Sequence, residues 1–279
     1  MKLPALTQAG HGSTAVVLLH GIGGGRQLWA EAGSDTVRAL AQAGYRALAM
    51  DFPGYGDSLA LGPPEMDRMV EAVLALVAHL CAGGPEVPPA EKIVLVGHSM
   101  GGMVAQEVVS RQPPAVQGLV LACTSALFGK ADGAWQRQFV ADRLAPLDAG
   151  LGMAGMAQKL VPALMAASAT PAAAALAQQT MAAVPEASYR VALAAIAGFD
   201  RRAQLAEIAV PCLMLAAAED RTSPPDMMQR MAGRVNGASY VCLQHAGHVA
   251  NLDSPAQFNA AVLDFLHRHF APSDGVTQE

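Results

Sequence analysis

The chain has 279 residues, of which 52% are hydrophobic but only 5% aromatic, and a formal net charge of -5. That length suits one large α/β domain with an insertion better than two small domains, and Ala, Leu, Val and Met must fill both its core and the lining of any pocket. Mild acidity without a block of Lys or Arg argues against nucleic acid and anionic membrane surfaces, which leaves a small molecule as the expected partner.

Cys81, Cys123, Cys212 and Cys242 are widely scattered, without the close pairing of zinc sites or secreted disulfide scaffolds, so a reducing cytoplasm is the expected compartment. Pro4, Thr7, Gln8, Gly10 and His11 interrupt any signal-peptide core, and no apolar run approaches about 18 residues. Neither secretion nor a membrane span is predicted.

Short apolar runs at 15–19, 45–50, 93–96, 119–122, 212–216 and 240–243 predict strands of a parallel sheet covered on both faces. Between the first two, Ser34-Asp35 precedes Val37, Leu40 and Ala41, and Gly44 follows, which predicts an N-capped helix with a left-handed stop. After Pro63-Pro64, Met66, Met69, Val70, Val73, Leu74 and Val77 form one helical stripe that ends near Gly83-Gly84. This alternation predicts right-handed crossovers and a doubly wound, mostly parallel α/β sheet.

The alternation breaks at 125–202, where roughly eighty residues replace a short connection. The stretch is rich in Ala and Met, is punctuated by Pro146, Pro162, Pro171 and Pro185, and shows no strand pattern. An inserted helical cap is expected, because insertions at the carboxyl edge of a parallel sheet overhang the place where such sheets bind ligands. A helical elaboration without ligand contact is the plainer alternative. The core is then 1–124 with 203–270, and the polar stretch 271–279 is expected to be a flexible tail.

The segment Lys92-Ile93-Val94-Leu95-Val96-Gly97-His98-Ser99-Met100-Gly101-Gly102 changes period at its serine: the apolar run ends, and Met103, Val104, Val108 and Val109 follow at helical spacing. Gly97 and Gly101 leave room for strand and helix to cross on a strained turn, the signature of a nucleophile elbow. A strand ending in an ordinary serine N-cap is the bland alternative.

A serine hydroxyl is a weak nucleophile at neutral pH and needs a base, which in turn needs an orienting group. Asp220 stands just beyond the run ending at 216, and His248 just beyond the run ending at 243, so both fall past carboxyl ends of strands, on the same edge as Ser99. Glu219 and His245 compete for these roles. Adjacent side chains diverge, so only one of the two acids can aim at the imidazole, and Asp220 is preferred; His248 is preferred because Gly247 permits a tight turn before it. His11, His79, His267 and His269 suit surface or structural places.

The developing oxyanion needs backbone donors. Met100 follows the nucleophile, and Ile22 lies in the glycine-rich loop His20-Gly21-Ile22-Gly23-Gly24-Gly25. Gly21 and Met103 are the candidate substrate contacts. The loop lacks the third glycine of a dinucleotide fingerprint and no Gly-Lys-Ser/Thr follows, so no nucleotide is expected. No close His and acidic cluster suggests a metal. No cofactor is predicted. Met100, Met103 and the methionines of the insertion are either an adaptable pocket lining or simply core. Arg137, Arg143 and Arg190 are candidate partners for a substrate carboxylate, with solvated helix faces as the plainer reading.

The His20-Gly21 loop with Trp29, the Asp51-Phe52-Pro53-Gly54-Tyr55-Gly56-Asp57-Ser58 turn, the hexapeptide at 97–102, Asp220 and Gly247-His248 together resemble the α/β-hydrolase superfamily over nearly the whole chain. The order Ser99, Asp220, His248 is also that superfamily's order. The stretch Gly247-His248-Val249-Ala250-Asn251-Leu252-Asp253-Ser254-Pro255 and the modest cap are most similar to the 3-oxoadipate enol-lactonase, small carboxylesterase and cofactor-free haloperoxidase group. Two features depart from the pattern. Ala217 stands where a glycine is usual before the acid, so that loop is expected to differ. Only about fourteen residues precede the first parallel strand, so the usual leading antiparallel pair is expected to be incomplete.

The resemblance implies a serine hydrolase cleaving a small carboxylic ester or lactone through an acyl-enzyme, with a Ser99-His248-Asp220 triad and an oxyanion hole at Ile22 and Met100. Carbon-carbon hydrolases of meta-cleavage products and cofactor-free oxygenases share the scaffold. Dehalogenases and epoxide hydrolases need an acidic nucleophile, which Ser99 disfavours. A small-molecule receptor with an idle triad is the alternative from another class. Monomer and homodimer both stay open.

Overall fold

In the computed structural model, which describes residues 3–31, 33–58, 62–84, 88–128 and 133–271, each of the six apolar runs falls on a strand, the second starting one residue before its own. The strands are β1 (Leu6–Ala9), β2 (Thr14–Leu19), β3 (Arg46–Met50), β4 (Lys92–His98), β5 (Val116–Ala122), β6 (Cys212–Ala217) and β7 (Ser239–Leu243). They form one sheet in the order β1-β3-β2-β4-β5-β6-β7, parallel throughout except that β1 runs antiparallel to β3. The leading antiparallel element is thus a single strand. The sequence reading missed it because Leu6-Thr7-Gln8-Ala9 is a half-exposed edge strand with no apolar run.

Alternate residues of each inner strand serve opposite faces. In β2, Ala15, Val17 and Leu19 join one core while Val16 and Leu18 join the other; Ile93 and Leu95 of β4 divide from Val94 and Val96 in the same way. The first core is covered by α3 (Met66–Ala82), α4 (Met100–Ser110) and α9 (Pro225–Ala232), the second by α2 (Thr36–Gln42) and α11 (Pro255–Phe270), while α1 (Gln27–Ala30) and α10 (Ala250–Asp253) are single turns. Burial on both faces explains why the strands are continuously apolar.

The local punctuation divides. Gly44 and Gly83 take positive φ, 90° and 64°, behind α2 and α3 as expected. Asp35, however, makes no side-chain cap bond; it is itself left-handed. On α3 the fully buried stripe includes Leu76 and Leu80, while Leu74 is only partly buried.

Between β5 and β6 lie α5 (Ala134–Asp148), α6 (Gly152–Leu164), α7 (Pro171–Ala182) and α8 (Glu186–Ala197). The two ends of this stretch meet in an antiparallel bridge between Leu127 and Asp200, flanked by Arg201 N–H to Ala126 O at 2.7 Å and Phe128 N–H to Phe199 O at 3.1 Å. Pro171 and Pro185 stand at the starts of α7 and α8, where a missing N–H costs nothing. Pro146 and Pro162 do not punctuate; they lie in the last turns of α5 and α6. No helix among the described residues is long and apolar enough to cross a membrane. Of the expected tail, residues 272–279 lie outside the described residues.

A Cβ on Gly118 of β5 would meet the Phe270 ring at 2.6 Å. Gly118→Ala is therefore expected to destabilise the fold by about 1–3 kcal/mol in urea unfolding, and adding Phe270→Leu to recover part of that loss. Strict additivity of the two changes would contradict the shared space.

Candidate active site

β4 stops at His98 and α4 begins at Met100, so Ser99 alone turns the chain, at φ 53° and ψ -118°, a conformation L-residues seldom adopt. Its peptide groups are tied on every side. Ser99 N–H donates to Ala122 O at 3.0 Å, and Ser99 O accepts from Gly102 N–H at 2.9 Å, Met103 N–H at 3.2 Å and the Thr124 hydroxyl at 2.7 Å. A Cβ on Gly97 would lie 2.5 Å from Gly101 O, and one on Gly101 would overlap Leu19 O. Neither glycine has a positive φ. They permit close crossing, and the strain sits on the serine. Gly102, which a Cβ would press against Thr124 at 2.6 Å, completes the contact and was not singled out from sequence.

Asp220 and His248 converge on this turn from the ends of β6 and β7. His248 Nδ1 lies 2.8 Å from Asp220 Oδ2, and Nε2 lies 2.9 Å from Ser99 Oγ. A carboxylate only accepts, so Nδ1 carries the proton and Nε2 is free to accept from the serine. Asp220 Oδ1 takes Thr222 N–H at 2.7 Å and Ser223 N–H at 2.9 Å. Burial opposes ionisation of Asp220, but His248 and these two N–H groups outweigh it and hold the carboxyl below its ordinary range. Burial, with Asp220 alongside, pushes the Cys123 thiol well up, so it stays protonated beside the carboxylate. The competitors point elsewhere: Glu219 is exposed and accepts Ala167 N–H at 3.2 Å, and His245 is exposed. Ala217 is simply the buried last residue of β6, and Asp220 N–H closes a turn onto its carbonyl at 3.2 Å.

Gly21 and Ile22 follow β2 on the same edge. Gly21 O is 2.8 Å from His20 Nδ1 and accepts Gly24 N–H at 3.0 Å, while His20 Nε2 accepts Phe52 N–H at 3.1 Å. Burial pushes the His20 pKa down, against the opposing pull of Gly21 O and Asp51, and the two partners fix one neutral tautomer. In a trans peptide the N–H points opposite to the C=O. Binding Gly21 O therefore aims the Ile22 N–H the other way. Tyr55 adds a hydroxyl donated to Ile22 O at 3.0 Å. Neither Ile22 N–H nor Met100 N–H has a protein acceptor among the described residues. The Asp51 turn braces this loop: Asp51, fully buried, accepts Arg26 N–H at 2.8 Å and also binds its guanidinium.

Two further groups hold His248 and carry no local sequence signal. His98 Nε2 lies 2.6 Å from His248 O, and burial, reinforced by His248, pushes the His98 pKa down to about 3. It is a neutral donor that fixes the backbone of its neighbour. On the other side, the C-terminal end of α6 and the residues just after it lie against the His248 loop: His248 N–H donates to Leu164 O at 2.7 Å, and Asp253 Oδ2 accepts both Gly247 N–H at 2.8 Å and Ala166 N–H at 3.0 Å. A Cβ on Gly247 would meet Leu164 O at 2.7 Å. Gly247 thus serves close approach; the tight-turn reason is corrected, since its φ is not positive.

Above Ser99 lies a cavity of about 600 Å³, within the range of small-molecule sites. Gly21, Ile22, Met100 and Met103 line it, as do Met181 of α7 and Tyr189 of α8, whereas Met153 and Met156 are core. Arg143 lines it; Arg137 does not, and Arg190 is paired with Asp148 at 2.7 Å and Glu186 at 2.8 Å. A strand-end serine, base and acid under an apolar cavity with free N–H groups is suited to acyl transfer.

The pH dependence of stability has opposed parts. His98, held near 3 rather than 6.5, makes stability rise with pH between those values, because the unfolded chain binds the extra proton. Asp253 acts in the other direction. Burial, opposed by the Gly247 and Ala166 N–H groups, pushes its carboxyl from 3.8 up to about 6, and its buried Oδ1 has no partner among the described residues. Between those values the folded chain binds the extra proton, so this contribution falls as pH rises. Asp253→Asn should therefore gain on the parent chain as pH is raised from about 4 to 7 in thermal unfolding. A stability difference independent of pH would contradict this assignment.

The sequence matches the alpha/beta hydrolase family over residues 16–261. A relative from Variovorax paradoxus, provisionally named carbamate hydrolase RutD, is 32% identical over 267 residues, 92% of this chain and 93% of that one. The solved thermophilic esterase of Thermogutta terrifontis is similar at TM-score 0.79 and 26% identity, covering 95% of this chain and 93% of that one. The enol-lactonase of Burkholderia xenovorans shares the fold at TM-score 0.77 and 24% identity, over 94% and 95% of the two chains. Esterase and enol-lactonase are both in the group the sequence resembles. With its sheet order, its strand-end site and a match spanning most of its length in agreement, the chain belongs to the alpha/beta hydrolase family of enzymes.

Proposed function

We propose that this chain hydrolyses a small carboxylic ester or lactone through an acyl-enzyme. The observation that carries the reading is the unbroken line from Asp220 Oδ2 to His248 at 2.8 Å and from His248 to Ser99 Oγ at 2.9 Å, opening on an apolar cavity. Ser99 Oγ attacks the carbonyl carbon while its proton passes to His248 Nε2, and Asp220 supports the imidazolium. The oxyanion takes the N–H groups of Ile22 and Met100. On collapse, the carbon-oxygen bond breaks and the alkoxide leaves with the proton from His248; in a lactone the freed alcohol stays tethered to the acyl group. Water then attacks, giving its proton to His248, and Ser99 is released with the acid product.

The stretch 125–202 acts as a cap over the core of 1–124 and 203–270. Support comes from Leu160, Leu164, Met181 and Tyr189, which line the same cavity as Ser99. The name of the Variovorax relative adds carbamates to the acyl groups worth testing.

A panel of p-nitrophenyl acyl esters, small lactones and carbamates tests the reading. Ser99→Ala and His248→Ala are each expected to lower kcat by at least about 10³-fold. Turnover that survives Ser99→Ala would refute it, and a parent chain inert on the whole panel would favour a carbon-carbon hydrolase, an oxygenase or a receptor.

A further inference from the structure

Among the described residues, the cavity above Ser99 is lined by Arg143 and Arg221 and by no acidic side chain. Trp135, Phe139 and Arg143 stand at i, i+4 and i+8 on α5 and all line the cavity, so one face of the helix forms part of its wall. The stripe runs from Trp135, 42% exposed, to Arg143, whose guanidinium carbon is 4.8 Å from the centre of the Phe139 ring. That guanidinium also lies beside the buried Tyr189 phenol, which it influences directly. Ring and phenol restrict its freedom, which lowers the cost of organising it around a ligand.

Among the described residues, no Asp or Glu lines the cavity and Arg143 has no carboxylate partner. Arg190, on the neighbouring helix, shows the alternative, with two carboxylates of its own. Arg221, which is exposed, also lines the cavity without a carboxylate partner among the described residues. A planar guanidinium with free N–H groups matches a carboxylate in two parallel bonds.

Resting on ester cleavage at Ser99, we propose that Arg143, aided by the Tyr189 hydroxyl, binds a carboxylate on the substrate remote from the scissile carbonyl, which makes half-esters of dicarboxylic acids the substrate class. The net charge of -5 gives such anions no general attraction to the chain, so recognition falls to this local cation.

The test compares monomethyl half-esters from succinate to suberate with methyl esters of the matching monoacids. The parent chain is expected to prefer the half-ester in kcat/KM for at least one chain length. Arg143→Gln should lower that preference by about 10- to 100-fold, mainly through KM, because a charged hydrogen bond made equally in substrate and transition state is lost. Arg143→Lys should keep part of it, and Arg221→Gln nearly all. No preference in the parent chain at any length would overturn the proposal without recourse to a variant. So would equal losses on charged and neutral esters in Arg143→Gln, the mark of a purely structural role, or equal losses of preference in the two glutamine variants. Loss of Ser99 dependence on the neutral esters is a separate result; it would remove the underlying hydrolase reading instead.

Discussion

The site depends on one crowded crossing, where β4 turns into α4 and the end of β2 passes beneath. Ser99 holds a φ of 53° only because its N–H, its carbonyl and the glycines around it are enclosed by neighbouring backbone. A Cβ on Gly101 would overlap Leu19 O and come within 2.8 Å of His20 O, and one on Gly21 would lie 3.2 Å from Ser99 Cβ. The two loops that offer free N–H groups are thus in direct contact, and neither moves without the other. Strain of this sort persists where the surroundings over-determine it, which is how a serine hydroxyl comes to project from the edge of a parallel sheet.

Around that crossing lies a polar layer of buried histidines and carboxyls that grip the backbone of the site. His20 and His98 are both held neutral by burial, one gripping the Gly21 carbonyl and the other the His248 carbonyl. Neither places a competing positive charge beside His248. The segment at the end of α6 closes the arrangement, Leu164 accepting the His248 N–H and Ala166 sharing Asp253 with Gly247. Helices that line the cavity are therefore joined to the backbone of the imidazole that faces it. Movement of that segment and alignment of His248 are coupled through three hydrogen bonds.

Much of this was legible in the sequence, for reasons that also explain what was not. Strands buried on both faces read as apolar runs, so β2 to β6 stood out; β7 did so by its apolar residues although only Leu243 is buried, while β1, half-exposed at the edge and without an apolar run, did not. Ser99, Asp220 and His248 were marked by their places just past strand ends, and the fold brings those three together while Glu219 and His245 stay exposed. Pairings across long stretches left no local trace: His98 reaches a carbonyl 150 residues away, and Asp253 an amide 87 residues away. Gly247 shows the difference best. A glycine is needed there, but the reason is the backbone at Leu164, which only the folded chain brings near. The prolines mislead for a related reason, since Pro146 and Pro162 sit in final turns, where little helix follows for them to break.

The central claim is that the strained turn makes Ser99 a nucleophile that His248 activates. The most direct measurement is reaction of the folded chain with a p-nitrophenyl alkylphosphonate, followed by intact mass and peptide mapping. The account predicts a single adduct on Ser99, formed at a rate that collapses in His248→Ala. An adduct on another residue, or none while the chain remains folded, would contradict it.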